Sequence, residues 1–182
     1  GEPHYTNFAY AYAKRMLEVQ TRAYNRQHGL LYNCVTPTNI YGKHDNFNLQ
    51  TSHVVPALIH KCYLAKRDNT PFVVWGSGKP LREFIYAKDV AQLALWALHH
   101  PEHSNMILST GTEVSIKELV FEIVKAMDFK GDVIFDTTKP DGQFRKPTRS
   151  TLTELLPDFK FTSLEKGIKE TVDWFSAEYE NC

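Results

Sequence analysis

A tyrosine and a lysine lie four residues apart near the start of the chain, in the segment Tyr10-Ala-Tyr-Ala-Lys14. Residues at this spacing project from the same face of a helix, so the phenol and the ammonium group can be neighbours. A nearby cation favours the phenolate, and a tyrosine in this setting can exchange a proton with a carbonyl oxygen near neutral pH. The alternative is an ordinary surface pair, because many helix pairs of this kind contribute only solvated charge.

The segment after this helix predicts a ligand-binding edge. Residues Leu30–Val35 read as a buried strand that Pro37 ends, and Thr38–Gln50 is polar and predicts a loop. A strand that runs into Pro37-Thr38-Asn39-Ile40 places polar groups at its carboxyl end, where ligands bind in open α/β sheets. The alternative is a plain turn, since Asn and Gly are common turn residues.

The rest of the chain alternates between helix and strand, which favours an α/β fold. The predicted helices are Tyr5–His28 with Gly29 as its stop, Ser52–Arg67, Lys88–His99, Ser115–Met127 with a Ser115/Glu118 capping box, and a final helix opened by a Thr162/Glu165 capping box. The predicted strands are Phe72–Trp75, Glu83–Tyr86, Met106–Ser109 and Val133–Phe135, and a basic polar loop is predicted at Lys139–Arg149.

Composition narrows the class of protein. The 182 residues contain 21 basic and 21 acidic side chains, which argues against binding to nucleic acid or to an anionic membrane surface. No apolar run reaches the roughly 18 residues of a membrane span. Three widely spaced cysteines, Cys34, Cys62 and Cys182, fit a reducing compartment such as the cytoplasm better than a disulfide framework. No spacing typical of a zinc site occurs, so no metal site is predicted.

Several motifs together resemble the GDP-L-fucose synthase family of extended short-chain dehydrogenase/reductases. They are Tyr10-x-x-x-Lys14, Pro37-Thr-Asn-Ile-Tyr-Gly-x-His-Asp-Asn-Phe47, Ser52-His-Val-Val-Pro56, Val74-Trp-Gly-Ser-Gly78 with Arg82-Glu-Phe84, and Phe135-Asp-Thr-Thr-Lys-Pro-Asp141. The resemblance runs in order through essentially the whole chain. Its most specific part is the combination of Pro-Thr-Asn with Ser-His-Val-Val-Pro.

The resemblance implies a reaction and a cofactor. In the family, C3 and C5 of GDP-4-keto-6-deoxymannose are inverted, and NADPH then reduces C4. By resemblance, Tyr10 protonates the C4 oxygen, Lys14 assists Tyr10 and binds the nicotinamide ribose, and Pro37-Thr38-Asn39-Ile40 lines the nicotinamide side. His53 matches the acid of the epimerisation and also lies near the cofactor; an imidazole, which titrates near pH 6.5, suits this task. The alternative for His53 is a solvated residue at a helix start.

Four further residues match positions that contact the GDP-sugar in the family: Lys61, Trp75, Arg82 and Asp141. Cations suit a diphosphate, an indole ring offers a flat surface to a base or sugar, and a carboxylate accepts hydrogen bonds from guanine or ribose. The alternatives are solvated charges for the two cations, core packing for the tryptophan and turn formation for the aspartate.

The sequence lacks the segment with which the family binds the pyrophosphate of the cofactor, because it contains no G-x-x-G-x-x-G or G-x-G-x-x-G motif. The Ser and Cys that the family places before the tyrosine are also unmatched. We therefore expect a C-terminal fragment, inactive in isolation. Residues 1–50 would complete a Rossmann-type nucleotide-binding domain, and residues 51–182 would form mainly a small α/β substrate domain, with some segments returning to the first. The resemblance implies that the intact enzyme is a homodimer.

Two other functions stay open on the sequence. One is a different extended reductase, such as a 4-epimerase of a UDP-sugar, which would need no additional acid at His53. The other is a non-catalytic module that binds a GDP-sugar or pairs with the intact enzyme.

Overall fold

The computed structural model describes residues 2–103, 105–146 and 148–179. Its α-helices are α1 (Phe8–His28, after a 3-10 turn at Tyr5–Asn7), α2 (Val54–Asp68), α3 (Ala87–His99), α4 (Ile116–Met127), α5 (Leu152–Leu155) and α6 (Leu164–Tyr179). Its strands are β1 (Cys34–Pro37), β2 (Asn39–Tyr41), β3 (Phe72–Trp75), β4 (Leu81–Tyr86), β5 (Asn105–Leu108), β6 (Glu113–Ser115) and β7 (Val133–Asp136). The predicted α/β class is confirmed.

The strands pair in three small groups, mostly in parallel. Strand β1 pairs with β5, β3 pairs with β7, and β2 pairs with β4, all in parallel, while β4 also pairs with β6 in antiparallel fashion. Strands β1 and β2 are separated only by Thr38 yet have different partners. The chain therefore passes from one group of strands to another at Thr38.

Two hydrophobic clusters lie on opposite faces of β4. The larger cluster joins α2, α4 and α6 with β3, and it includes Phe84 and Tyr86. The smaller cluster joins α3 with β5, and it includes Ile85. Because side chains alternate between the two faces of a strand, consecutive residues of β4 enter different clusters. Strand β4 is thus a wall that both clusters share.

The end of α1 and the start of α4 are set by residues close by in the chain, as the sequence predicts. Helix α1 ends at Gly29, which has the left-handed conformation with φ of 62°. Helix α4 begins with the predicted capping box: the Ser115 hydroxyl accepts from the Glu118 amide at 3.1 Å, and the Glu118 carboxylate accepts from the Ser115 amide at 2.7 Å. The Ser115 hydroxyl also donates to the Glu118 carboxylate at 2.7 Å. This bond and the one from the Ser115 amide lower the pKa of the Glu118 carboxyl.

Two predictions about the segment after α1 are wrong. The strand predicted at Leu30–Val35 begins only at Cys34, runs to Pro37 and is half-buried or exposed rather than buried. The predicted loop Thr38–Gln50 contains strand β2, which pairs with β4 through the backbone. Backbone pairing to a strand some 45 residues away is set by tertiary contacts, which local polarity does not report.

The predicted Thr162/Glu165 capping box is also wrong. The Thr162 amide and hydroxyl both donate to the carboxylate of Asp89, each at 2.8 Å. Asp89 is only 3% exposed, so these hydrogen bonds satisfy a buried charge. The Ser163 hydroxyl, one residue later, accepts from the Lys166 amide at 3.3 Å and takes the capping position of α6.

Across the described residues, no helix is long and apolar enough to cross a membrane.

Candidate active site

A cleft of about 970 Å³ lies where α1, the β1–β2 segment and the start of α2 meet. Seven residues that the sequence predicts to act on cofactor or substrate line it, namely Tyr10, Lys14, Pro37, Thr38, Asn39, Ile40 and His53. They come from three separate elements of the chain. The fold therefore brings the two predicted proton donors and the predicted cofactor edge to one place.

Helix α1 presents Tyr10 and Lys14 to the cleft from adjacent turns. The Lys14 ammonium lies 5.6 Å from the centroid of the Tyr10 ring, as expected for residues four apart on a helix. Tyr10 is 61% exposed, so its hydroxyl is open to a ligand. The turn after α1 is fixed by Asn25, whose amide exchanges two hydrogen bonds of 2.9 Å with the backbone of Tyr32. This turn sets the direction in which the chain leaves α1 and enters β1.

The β1–β2 segment is held by both strands beside it. The Thr38 amide donates to the Leu108 carbonyl at 3.0 Å, and the Asn39 side-chain amide donates to the Glu83 carbonyl at 2.7 Å. The Thr38 hydroxyl oxygen is buried and has no hydrogen-bond partner among the described residues. A buried hydroxyl without a partner is costly, and its place in the cleft wall fits a polar ligand group there.

His53 stands at the junction of the cleft and helix α2. It occupies the N-cap position, with an extended backbone, but its imidazole makes no capping hydrogen bond. The side chain is exposed and lines the cleft. An imidazole that does not cap its helix is available for proton exchange with a molecule in the cleft.

A second group of predicted residues surrounds Trp75, at the end of β3. Trp75 is 65% exposed, so the alternative of core packing is wrong. Burial alternates along β3, and Phe72 and Val74 take the inward positions. The Lys61 ammonium lies 4.3 Å from the centroid of the indole ring and that of Lys139 lies at 5.9 Å, both within the range of a cation–π contact. Partial burial lowers the pKa of Lys61.

Asp141 approaches Trp75 from the predicted polar loop. Its carboxylate accepts hydrogen bonds from the Ser77 amide at 2.8 Å and from the Ser77 hydroxyl at 2.6 Å. These bonds lower the pKa of the Asp141 carboxyl. The half-buried Arg82 donates to the Leu81 carbonyl at 2.6 Å and lies beside Gly142. Lys61, Trp75, Arg82 and Asp141 thus lie along one wall.

Strand β4 links this wall to the cleft. Phe84 lines the cleft, and Arg82 stands two residues earlier on the same strand. Strand β4 therefore runs from Arg82, in the second group of predicted residues, to Phe84 at the cleft.

The structure adds residues to which the sequence reasoning gives no role. Lys43, His44 and Asp45 also line the cleft. His44 has a left-handed backbone, with φ of 63°, and its ring centroid lies 4.6 Å from that of Trp174. In the sequence, these three residues are indicated by the polar run after Gly42, which lies within the motif that carries the resemblance. For Lys139, the sequence offers two signals: the basic character of its loop and its place in the Phe135–Asp141 motif.

Known proteins resemble the chain over its whole length. The chain is 48% identical to GDP-L-fucose synthase of Dictyostelium discoideum, and the match covers 100% of the chain and 58% of that protein. It is 40% identical to GDP-L-fucose synthase of Escherichia coli strain K12, over 93% of the chain and 56% of that protein. A crystal structure of a GDP-L-fucose synthetase from Naegleria fowleri bound to NADP has a TM-score of 0.95 and 43% identity, covering 100% of this chain and 60% of that one.

The chain spans a little more than half the length of the curated relatives it matches. The sequence model of the NAD dependent epimerase/dehydratase family matches residues 1–108. That range contains α1, the β1–β2 segment and α2, which together build the cleft. The chain belongs to the NAD dependent epimerase/dehydratase family.

Proposed function

We propose that this chain is part of a GDP-L-fucose synthase, an enzyme that inverts C3 and C5 of GDP-4-keto-6-deoxy-D-mannose and reduces C4 with NADPH. The observation that carries the proposal is the single cleft lined by Tyr10, Lys14 and His53. A reductase needs a proton donor at the carbonyl oxygen, and an epimerase needs one at carbon. The names of the relatives from Dictyostelium discoideum and Escherichia coli support the same reaction.

The residues of this chain fit the nicotinamide end of NADP. When bound, NADPH supplies the hydride for C4. Lys14 would hold the nicotinamide ribose, and Pro37-Thr38-Asn39-Ile40 would line the nicotinamide, where the Thr38 hydroxyl offers an unused hydrogen-bonding group. His53 lies on the same cleft. The sequence lacks the glycine-rich loop that binds a pyrophosphate, so only this end of the cofactor is assigned to the chain.

The side chains of the cleft divide the proton transfers between them. Tyr10 gives its phenolic proton to the oxygen at C4, so a hydroxyl forms rather than an alkoxide. The ammonium group of Lys14, one turn along the same helix, stabilises the phenolate that remains on Tyr10. In the epimerisation a base first removes the proton from C3 or C5, and His53 then gives a proton back to that carbon on the opposite face. Its imidazole makes no capping hydrogen bond to α2.

The wall around Trp75 suits the nucleotide half of the substrate. The exposed indole ring can stack on a base or sugar, and Lys61 and Arg82 can balance a diphosphate, the arginine in a bidentate way. Asp141 belongs to the same wall through its hydrogen bonds to Ser77. We infer that the GDP-sugar lies along β4, with its keto sugar at Tyr10.

We also infer that residues 1–50 complete the nucleotide-binding domain and that residues 51–182 form mainly the substrate domain. The smaller hydrophobic cluster supports this division, because it packs Val35 with later segments, α3 and β5. We infer a homodimer that pairs through α1, since this helix has no buried residue and exposes Phe8, Tyr12, Met16 and Val19. Cytoplasmic localisation is inferred from the free thiols of Cys34 and Cys62.

The proposed function is tested with the full-length protein, NADPH and GDP-4-keto-6-deoxy-D-mannose. We expect NADPH oxidation that depends on the keto sugar and gives GDP-L-fucose, as identified by NMR. The same assay with a UDP-4-keto sugar is the control for the alternative 4-epimerase. A full-length protein that binds the GDP-sugar and never oxidises NADPH would instead be a binding module.

His53→Gln should slow epimerisation more than reduction. We expect exchange of the C3 and C5 hydrogens with deuterated water to fall about 10²-fold, the lower end for a lost general acid, because water can enter this exposed site. NMR of the keto sugar in D₂O measures the exchange at each carbon. If exchange is unchanged in His53→Gln, the assignment of His53 is wrong. If the wild-type protein itself shows no exchange at C3 and C5, a simple 4-epimerase becomes the better description.

A further inference from the structure

Two hydrogen bonds join the Gly76–Gly78 turn to the loop around Asp141. Ser77 and Asp141 lie 64 residues apart, yet each carboxylate oxygen of Asp141 accepts a hydrogen bond from Ser77, one from the amide and one from the hydroxyl. The Ser77 hydroxyl oxygen also accepts from the Lys79 amide at 3.2 Å. Hydrogen bonds to an ionised acceptor are about twice as strong as neutral ones.

The backbone of the turn is shaped around this carboxylate. Gly76 and Gly78 have φ values of 84° and 74°, a region that residues with a Cβ rarely adopt. A Cβ at Gly76 would overlap the Asp141 carboxylate, and the Gly76 amide donates to the Asp136 carbonyl at 2.9 Å. The turn begins directly after Trp75, so its geometry fixes where the indole ring leaves β3.

The loop of Asp141 is anchored to the sheet beyond this point. The Phe144 carbonyl accepts from the Leu81 amide at 2.8 Å, and the Thr148 amide donates to Glu83 at 3.1 Å. Before Phe144, the contact with Ser77 holds the part of the loop that carries Lys139, whose ammonium lies near the Trp75 ring. Backbone bonds to Asp136 also hold Gly76, directly after Trp75, and Lys139. Loss of the contact would therefore loosen the turn after Trp75 and the segment of Lys139 on the side away from Asp136.

We propose that Ser77 and Asp141 form a latch that positions Trp75 and Lys139 to bind a nucleoside diphosphate, with Asp141 acting through Ser77 and not by reading the base. The proposal rests on the proposed function for its ligand. A carboxylate that reads guanine directs its oxygens at the N1–H and N2–H donors of the base. In this structure both oxygens of Asp141 point to Ser77 instead. Ser77 and Asp141 are positioning residues in this arrangement.

The test compares Asp141→Ala, Asp141→Asn and Ser77→Ala in the full-length protein, with GDP and ADP as probes in calorimetry. We expect Asp141→Ala and Ser77→Ala each to weaken GDP binding about tenfold, the equivalent of about 1.4 kcal/mol. Asp141→Asn should bind GDP nearly as wild type does, because its amide oxygen can accept from the Ser77 amide and its NH₂ can donate to the Ser77 hydroxyl. The double variant Ser77→Ala/Asp141→Ala should be no weaker than either single one.

Direct reading of the base predicts the opposite pattern. Asp141→Asn would then lose as much affinity as Asp141→Ala, Ser77→Ala would match wild type, and the preference for GDP over ADP would fall. That result overturns the latch, as does wild-type GDP affinity in Asp141→Ala.

Hydrogen exchange at Ser77 and Gly78 separates the latch from the proposed function. If the wild-type protein binds neither GDP nor ADP, the proposed function fails. Faster exchange in Asp141→Ala but not in Asp141→Asn would then still support the latch, and unchanged exchange in both would overturn it.

Discussion

Tyr10→Phe should slow the reduction at C4 by about 10²- to 10⁴-fold in the full-length protein, the range expected when a general acid is removed. The phenylalanine ring keeps the shape of the side chain and lacks only the hydroxyl. Because Tyr10 is 61% exposed, its hydroxyl contributes little to folding, and the thermal midpoint should stay unchanged. Single-turnover oxidation of NADPH with the 3,5-epimerised keto sugar measures the reduction step alone.

Tyr12→Phe is the matched control for Tyr10→Phe. Tyr12 lies on the same helix, donates a hydrogen bond to Glu2 and is absent from the lining of the cleft. This hydrogen bond raises the pKa of the Tyr12 hydroxyl, so Tyr12 is poorly suited to lose its proton. If both variants reduce the keto sugar at the wild-type rate, the proton comes from another group.

Glu83→Ala should lower the free energy of unfolding by about 3 kcal/mol or more, because hydrogen bonds to a buried charge are worth about 1.5–3 kcal/mol each. Glu83 is 4% exposed, and its carboxylate accepts from the Ser109 hydroxyl and from the Thr148 amide and hydroxyl. Its removal would detach the Thr148 segment from β4. For a chain of this size we expect the thermal midpoint to fall by about 6–12 °C. Urea unfolding provides the free energy.

Two variants control for the loss of charge alone. Glu165 pairs with Lys125 at 2.6 Å on the surface, and both side chains are about two-thirds exposed, so Glu165→Ala should change stability little. Glu83→Gln should fall between wild type and Glu83→Ala, because its amide can serve part of the hydrogen-bond network. Equal stability of Glu83→Ala and Glu165→Ala would show that the buried network contributes nothing.

The parts of the fold that the sequence predicts well depend on neighbours in the chain. The Gly29 stop of α1 and the capping box of α4 each involve residues within a few positions of one another. The spacing of Tyr10 and Lys14 on a helix is equally local. For these features, a short stretch of sequence contains all the groups that decide the geometry.

The parts that it predicts poorly depend on partners far along the chain. Thr162 would suit an N-cap, but Asp89 binds its amide and hydroxyl from 73 residues away. Polar Asn39 reads as loop, yet β4 pairs with it as a strand. Trp75 reads as core, although the register of β3 turns it outward. In each case the deciding group is brought in by tertiary packing, which no local pattern reports.

The shared strand β4 makes the two hydrophobic clusters cooperative. Phe84 and Tyr86 face the larger cluster, and Ile85 between them faces the smaller one. If either cluster came apart, β4 would lose the packing on one face, and the other cluster would lose a wall. The wall around Trp75 and the cleft around Tyr10 are thus parts of one cooperative unit. A mutation that loosens one of them also lowers the fraction of molecules in which the other has its folded geometry.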